Sequence, residues 1–231
     1  MRLYSFFIAC FLPLTFGCES SSGVHSRSLT GEELRILDSL HIDSAIAHEI
    51  RKQNSSEIEP FHYSLSKMYK DGKESEVDPI RLNGIIFKEN YRNADKLVSK
   101  LYGNLKTKGY SIFVLERNFG LRGQPDDIAV LKTIDKYEIL REIGTNGINF
   151  SIDNDSLLKI IKRFDAEFAL DLVGASGDWC EFLINKEPAD WLTAAKEVYK
   201  VCPDVVDQGT ATVQALADDM KKTRRLYFWW D

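Results

Sequence analysis

Leu170-Asp171-Leu172-Val173-Gly174-Ala175-Ser176-Gly177-Asp178-Trp179-Cys180-Glu181-Phe182-Leu183-Ile184 is the stretch that decides the fold. Leu170–Val173 and Trp179–Ile184 are short apolar runs with aromatic and β-branched residues. The four residues Gly174-Ala175-Ser176-Gly177 between them suit a turn, so the stretch reads as a β-hairpin. Upstream, Asp153 or Asn154 caps a long amphipathic helix whose stripe is Leu157, Leu158, Ile161, Phe164 and Phe168. Downstream, Pro188 suits the first turn of a helix carrying Trp191, Leu192, Ala195, Val198 and Tyr199. Pro203 ends that helix near Cys202. Thr210 or Thr212 opens a last helix with Val213, Leu216 and Met220. Arg224 to Trp230 then reads as an aromatic strand. Tyr227 and Trp229 face one way and Phe228 and Trp230 the other, which implies a covered, interior strand.

Working towards the N-terminus, Asp135 caps a short helix to Ile143, and Thr145-Asn146-Gly147 marks a turn. Ile128–Leu131 and Tyr110–Glu116 read as strands, separated by a turn region with Gly120, Gly123 and Pro125. Ala94, Leu97, Val98, Leu101, Tyr102 and Leu105 form a helical stripe that stops at Gly109. Between residues 53 and 90, Pro60, Asp71-Gly72 and Asp78-Pro79 mark turns, with short strands around Phe61–Leu65 and Gly84–Phe87. Thr30 and Glu33 form a capping box, with Leu29 and Leu34 at staple spacing. The stripe that follows runs to about residue 52 with a break near Asp43. The pattern specifies an α+β fold, a mixed sheet packed with amphipathic helices. It divides into a single C-terminal α+β domain over 110–231 and a helical or mixed N-terminal extension over 30–109.

Residues 1–29 are different in kind. Met1 to Gly17 carry one charge, Arg2, and the apolar stretch Leu3–Phe16 is 14 residues long. A helix needs roughly 20 residues to cross the hydrocarbon core, whereas a secretory apolar core needs only about 7–15. Leu14-Thr15-Phe16-Gly17-Cys18 resembles a bacterial lipobox, with Gly17 as the small residue before the cysteine that would receive the lipid. Thr15 stands where Leu is usual, and Phe16 is bulky for its place. An ordinary cleaved signal or an uncleaved anchor is the alternative. Residues 18–29, rich in Ser, read as a flexible tether. The expected location is therefore the cell envelope, with the membrane as partner through lipidated Cys18. Glu19 in place of Asp points, by analogy with enteric sorting, to the outer membrane facing the periplasm if the bacterium is Gram-negative.

The net charge of −5 and sequence pI near 5.5 argue against nucleic acid as a partner. All four histidines, His25, His41, His48 and His62, lie early. The C-terminal half therefore holds no Ser-His or Cys-His couple and no His-based zinc site of its own. No Gly-x-Ser-x-Gly elbow occurs. Beyond Cys10 and Cys18, two cysteines remain, Cys180 and Cys202. An oxidising compartment would permit a disulfide between them; two buried thiols is the plainer reading.

Three blocks carry a resemblance. Thr145-Asn146-Gly147-Ile148-Asn149-Phe150, Cys202-Pro203-Asp204-Val205-Val206-Asp207-Gln208-Gly209-Thr210 and Leu226-Tyr227-Phe228-Trp229-Trp230-Asp231, in that order, resemble the bacterial domain-of-unknown-function family 4253 over about residues 124–231. The resemblance implies no activity, cofactor or catalytic residue.

The loop Pro203–Gly209 displays Asp204, Asp207 and Gln208. With Asp178 and Glu181 near in the sequence, it is the candidate site for a divalent cation or a polar ligand. The structural reading of the same residues is helix capping. Trp179, Trp191, Trp229 and Trp230 suit a core, with Trp230 the candidate for ligand stacking. Lys221-Lys222 with Arg224-Arg225 suits a solvated helix end. No cofactor is expected. The expected function is an envelope-tethered binding or interaction module with a protein partner, of which an immunity-type protein is one version by analogy. The alternative is a carboxylate-based or metal-dependent hydrolase using Asp204 and Asp207.

Overall fold

A computed structural model describes residues 27–64, 66–70, 73–77 and 79–230. Cys18, the leader and Asp231 lie outside the described residues, as do Asp71, Gly72 and Asp78, where the sequence reading expects turns. The chain begins with α1 (Gly31–Ser39) and α2 (Ser44–Arg51), then β1 (Glu59–Pro60), the hairpin β2 (Ser66–Lys70) and β3 (Lys73–Val77), and β4 (Gly84–Glu89). α3 (Ala94–Thr107), β5 (Ser111–Glu116), β6 (Asp126–Leu131), α4 (Lys136–Ile143) and α5 (Asn154–Phe168) follow. The chain closes with β7 (Leu170–Ala175), β8 (Trp179–Ile184), α6 (Trp191–Val201), α7 (Val213–Thr223) and β9 (Arg225–Trp229).

Local chemistry sets the helix starts. The Thr30–Glu33 capping box is present, and Asp135, Asp153 and Thr212 each accept a backbone N–H of the first turn. Gly109 and Gly144 end α3 and α4 with positive φ, a conformation open to glycine at little steric cost.

Seven strands form one mixed sheet in the order β1-β4-β6-β5-β7-β8-β9. All neighbours are antiparallel except β5 and β7, which run parallel. The fold is α+β, with helices on both faces. Alternation along the strands divides the core in two. Phe113, Leu115, Phe182, Leu226 and Phe228 pack with α4, α5, α6 and α7. Ile112, Val114, Ile128 and Val130 pack with α1, α2 and α3. β1 and β4, from before residue 110, belong to the same seven-stranded sheet as β9, and β2 and β3 form a separate two-stranded sheet.

Several elements differ from the sequence reading. The strand expected over Phe61–Leu65 is Glu59–Pro60 instead, extended by Phe61 N–H donating to Gly84 O and by a bridge between Tyr63 and Ile80. Pro188 stands two residues before the cap of α6: Asp190 accepts the Thr193 N–H, so the helix starts at Trp191. The loop expected over 203–209 is a π-helical turn, Val205–Thr210, because Val205 and Val206 drop into the core and wind the backbone inward.

β9 is an edge strand, not an interior one, since it pairs with β8 alone. Apolar side chains on both faces report covered faces, not a second strand neighbour. The free edge is closed by a thiol. Cys202 Sγ donates to Trp229 O at 2.8 Å and accepts the Trp229 N–H at 3.2 Å, which blunts an edge that would otherwise be open to pairing.

Candidate functional site

The three sequence blocks meet at one end of the sheet, where β5 and β7 finish. The turn joining β7 to β8 is held from several directions. Tyr63 Oη accepts the Gly177 N–H at 2.8 Å and bonds Ser176 Oγ at 2.9 Å. Thr145 Oγ1 donates to Ser176 O at 2.6 Å, and the Asn146 N–H donates to Gly177 O at 2.8 Å. Gly147 lies flat under the Trp230 indole, where a Cβ would come within 2.8 Å of the ring. Trp230 N–H donates to Asp178 O, and its Nε1 donates to Val201 O at 3.2 Å. These residues are straps. They fix the hairpin turn, the last strand and the end of α6 to one another.

The candidate ligand residues divide differently from the sequence expectation. Trp230 is 2% exposed and stacks on Phe228 with centroids 5.8 Å apart, so its indole is core. Asp204 is buried and accepts from Gln208 Nε2 at 3.0 Å, a bond inside the π-helical turn. Asp207 is exposed and accepts from Tyr199 Oη at 3.1 Å, which raises the Tyr199 hydroxyl above its ordinary range. Asp178 is an exposed turn residue. Glu181 points to the opposite face of the sheet from Cys180 and Phe182, away from the α6–α7 connection. Among the described residues no group of three or more His, Cys, Asp or Glu is placed to hold a metal ion. Cys180 and Cys202 are buried free thiols, and burial pushes Cys202 up to about 12 and Cys180 well above its ordinary value.

Tertiary structure assembles a second constellation, on the face of β7, β8 and β9 that looks away from α6 and α7. Arg117, just past β5, donates to Asp95 Oδ1 at 2.7 Å and to Glu181 Oε2 at 2.6 Å. Arg225, at the start of β9, donates to Glu181 Oε1 at 2.7 Å and to Asp95 Oδ1 at 3.2 Å. The four side chains close a ring of alternating charge with no net charge. Its inner members are nearly dry: the side chains of Glu181 and Arg117 are 9% and 14% exposed, while Asp95 at the rim is 46% exposed.

The electrostatics follow from that gradient. Burial alone would raise the Asp95 carboxyl, but the bonds and charge of Arg117, with Arg225, hold it below the ordinary carboxylate range. Burial alone would lower Arg117, but Asp95 and Glu181 outweigh it and hold the guanidinium above its ordinary value. Arg117 also stacks over Trp179 at 5.4 Å. Trp179 in turn packs on Tyr227 at 5.9 Å and lies across Gly174, where a Cβ would meet the ring at 2.4 Å.

α3 lies across β5 and β6 rather than along β8 and β9, so Leu183, Arg225, Tyr227 and Trp229 are only half-buried. The result is a half-buried strand face in which Tyr227 and Trp229 lie beside the charges, with Trp179 and Glu181 buried beneath. No nucleophile in the ring stands beside a base, and each charge is answered by another. Such a surface can bind; the ring does not prime a proton transfer. A shallow depression at the other end of the sheet, lined by Leu82, Leu131, Thr133 and Glu142 among others, has about 140 Å³. That is well below the roughly 300–1,000 Å³ of a small-molecule pocket.

Comparison with known proteins adds one match, over the part of the chain that holds the three blocks. Residues 127–231 match the family model described as domain of unknown function (DUF4253). No curated protein and no solved structure matches the chain. The DUF4253 region supplies Trp179, Glu181, Arg225, Tyr227 and Trp229, whereas Asp95 and Arg117 come from before it. Tyr63, whose hydroxyl straps the hairpin turn, also lies before it. The charged face is thus built jointly by the DUF4253 region and the preceding residues.

The sequence reading missed Asp95 and Arg117. Nothing in sequence ties residue 95 to 117 or either to 225. A partial signal existed for two others: Glu181 and Arg225 alternate in strand period with Trp179 and with Tyr227 and Trp229.

Proposed function

We propose that this protein is a lipid-anchored module of the bacterial envelope that binds a protein partner through the half-open face of β8 and β9. The observation that carries the reading is the neutral ring Asp95–Arg117–Glu181–Arg225, set among Trp179, Tyr227 and Trp229 on a strand face along which no helix runs among the described residues. Trp, Tyr and Arg are the side chains that concentrate binding energy at protein interfaces, because they bury large rigid surfaces and keep a polar handle. The lipobox-like stretch Leu14–Cys18 and the Ser-rich tether support the location.

The test is affinity recovery of full-length protein from native envelopes, with radioactive palmitate labelling alongside. Wild type is expected to retain a specific protein that Trp229→Ser and Arg225→Ala variants, folded by circular dichroism, lose. Cys18→Ser is expected to lose the label. Undiminished recovery by both face variants removes the binding reading; equal labelling of wild type and Cys18→Ser removes the anchor. No observation favours the hydrolase alternative, since Asp204 and Asp207 are engaged by Gln208 and Tyr199.

A further inference from the structure

The large exposed apolar side chains are unevenly placed. Among the described residues, Tyr91 (36%), Phe119 (59%), Leu121 (60%), Ile148 (68%) and Phe150 (36%) share the end of the sheet where β5 and β7 finish. Tyr91 follows β4, whose last residue Glu89 pairs with Asp126 at the start of β6. Phe119 and Leu121 belong to the connection between β5 and β6. Ile148 and Phe150 stand on the short turn that Asn146 straps to Gly177. Of the same class, Ile134 lies at the opposite end, past β6, and Leu34 follows Glu33 in the first turn of α1. Single exposed apolar residues need no explanation, but a concentration on one end does.

The turns that carry them are held firmly. Asn118 N–H donates to Asp126 Oδ1 at 2.7 Å, and Asn118 Nδ2 donates to Pro125 O at 2.7 Å. Gly120 packs on the Tyr91 ring, and Arg92 both bonds the Tyr91 hydroxyl and stacks over its ring. Arg92, on the Tyr91 ring, and Arg122, next to Leu121 in the chain, are exposed.

The chain also enters the fold at this end. Thr30 N–H donates to Glu33, which pairs with Arg51 in the interior and accepts the Ile58 N–H. Arg51 binds Asn54 O, and Asn54 Nδ2 binds Lys88 O and Glu89. The start of α1 is thereby fixed beside the last residues of β4. The far end of α1 is at the opposite side of the sheet, where Lys132 Nζ binds His41 O. Eleven residues separate Cys18 from Thr30. A flexible chain of that length spans about 18 Å on average.

We infer that this end of the sheet rests on the lipid bilayer, with Phe119, Leu121, Ile148 and Phe150 dipped into the boundary between headgroups and acyl chains and Arg92 and Arg122 among the headgroups. The inference rests on the lipid-anchor reading above, because the tether is what holds this end at the surface. A bilayer fits better than a protein partner because the apolar tips stand on separate turns with polar groups between them. A fluid surface accepts such points one by one, whereas a protein interface needs a continuous matched patch. The net negative charge gives no general attraction to anionic lipid, so apolar insertion carries the contact.

The test uses the full-length lipidated protein in vesicles of phosphatidylethanolamine and phosphatidylglycerol. A polarity-sensitive fluorophore is attached in turn at Leu121→Cys, Ile148→Cys and, as the control at the opposite end, Ile134→Cys. The buried native thiols at 180 and 202 stay unlabelled. The labels at 121 and 148 are expected to shift to the blue and to be quenched several-fold more by nitroxide-bearing lipid than the label at 134. Vesicle-bound protein whose three labels are equally open to aqueous iodide overturns the docking and leaves the anchor standing. Labels at 121 and 148 that are shielded from iodide but blind to nitroxide lipid also overturn it, and assign this end to a protein or a second copy. Recovery of both wild type and Cys18→Ser in the soluble fraction overturns the anchor reading and the docking together.

Discussion

Three residues show how much of the fold hangs on single side-chain atoms. Cys202 answers both backbone groups of Trp229 with one sulfur, so a thiol does the work of an eighth strand at that point. Gly174 and Gly147 are the seats of two indole rings, and a methyl group at either would overlap Trp179 or Trp230. Overpacking of this kind costs about 1–3 kcal/mol. Asp126 is a different case: it is 2% exposed at the head of β6, and burial is the main reason that its carboxyl is raised above the ordinary range. A raised folded pKa means that ionisation penalises the folded state at neutral pH. The penalty is absent once the pH is below the unfolded value, about 3.9. Asp126→Asn keeps an acceptor for the Asn118 N–H and removes the charge. It is therefore expected to gain stability relative to wild type at pH 7 and to lose that gain at pH 3, read from urea midpoints. An equal difference at both pH values would mean that the charge carries no such penalty.

The elements repeat this lesson on a larger scale. The ring Asp95–Arg117–Glu181–Arg225 joins the first turn of α3, the end of β5 and the two outer strands β8 and β9. Its members differ in worth because they differ in solvent. Arg117→Met leaves Glu181 in a dry site with Arg225 alone, and destabilisation of about 3 kcal/mol is expected, the low end of what breaking a buried pair costs. Asp95 is half-exposed, so Asp95→Asn is expected to cost below about 1 kcal/mol. Chemical denaturation of both variants checks the order, and a larger loss for Asp95→Asn would contradict the gradient. Most elements were legible because their signals are local: the Thr30–Glu33 box, the Asp135 and Asp153 caps, the stop at Gly109, the β-branched and aromatic runs from 111 to 116 and from 179 to 184. The π-helical turn over 205–210 was not, because Asp, Gln and Gly look like loop residues until Val205 and Val206 find a core to enter. The edge position of β9 was also hidden, because apolar residues on both faces say what lies above and below a strand and nothing about what lies beside it.

At the scale of the whole molecule, the family match covers a segment that cannot close its own sheet. Residues 127–231 contain most of β6 and all of β7, β8 and β9, but β5, which stands between β6 and β7, comes earlier in the chain. Tyr63, Asp95 and Arg117 are also outside it. A fragment of residues 127–231 is expected to show collapsed amide dispersion and no cooperative urea transition, while the full chain shows both dispersion and cooperativity. A dispersed, cooperatively unfolding fragment would mean that β6 can pair without β5. By itself the sequence determined what depends on neighbours along the chain: the helix starts and stops, the strand periods, the α+β class and the resemblance of the last hundred residues. Tertiary structure alone decided the strand order, the thiol-sealed edge, the burial of Trp230 and Asp204, and the charged ring. Those features depend on contacts between residues far apart in the chain, and a single sequence records the partners of such contacts without recording that they meet.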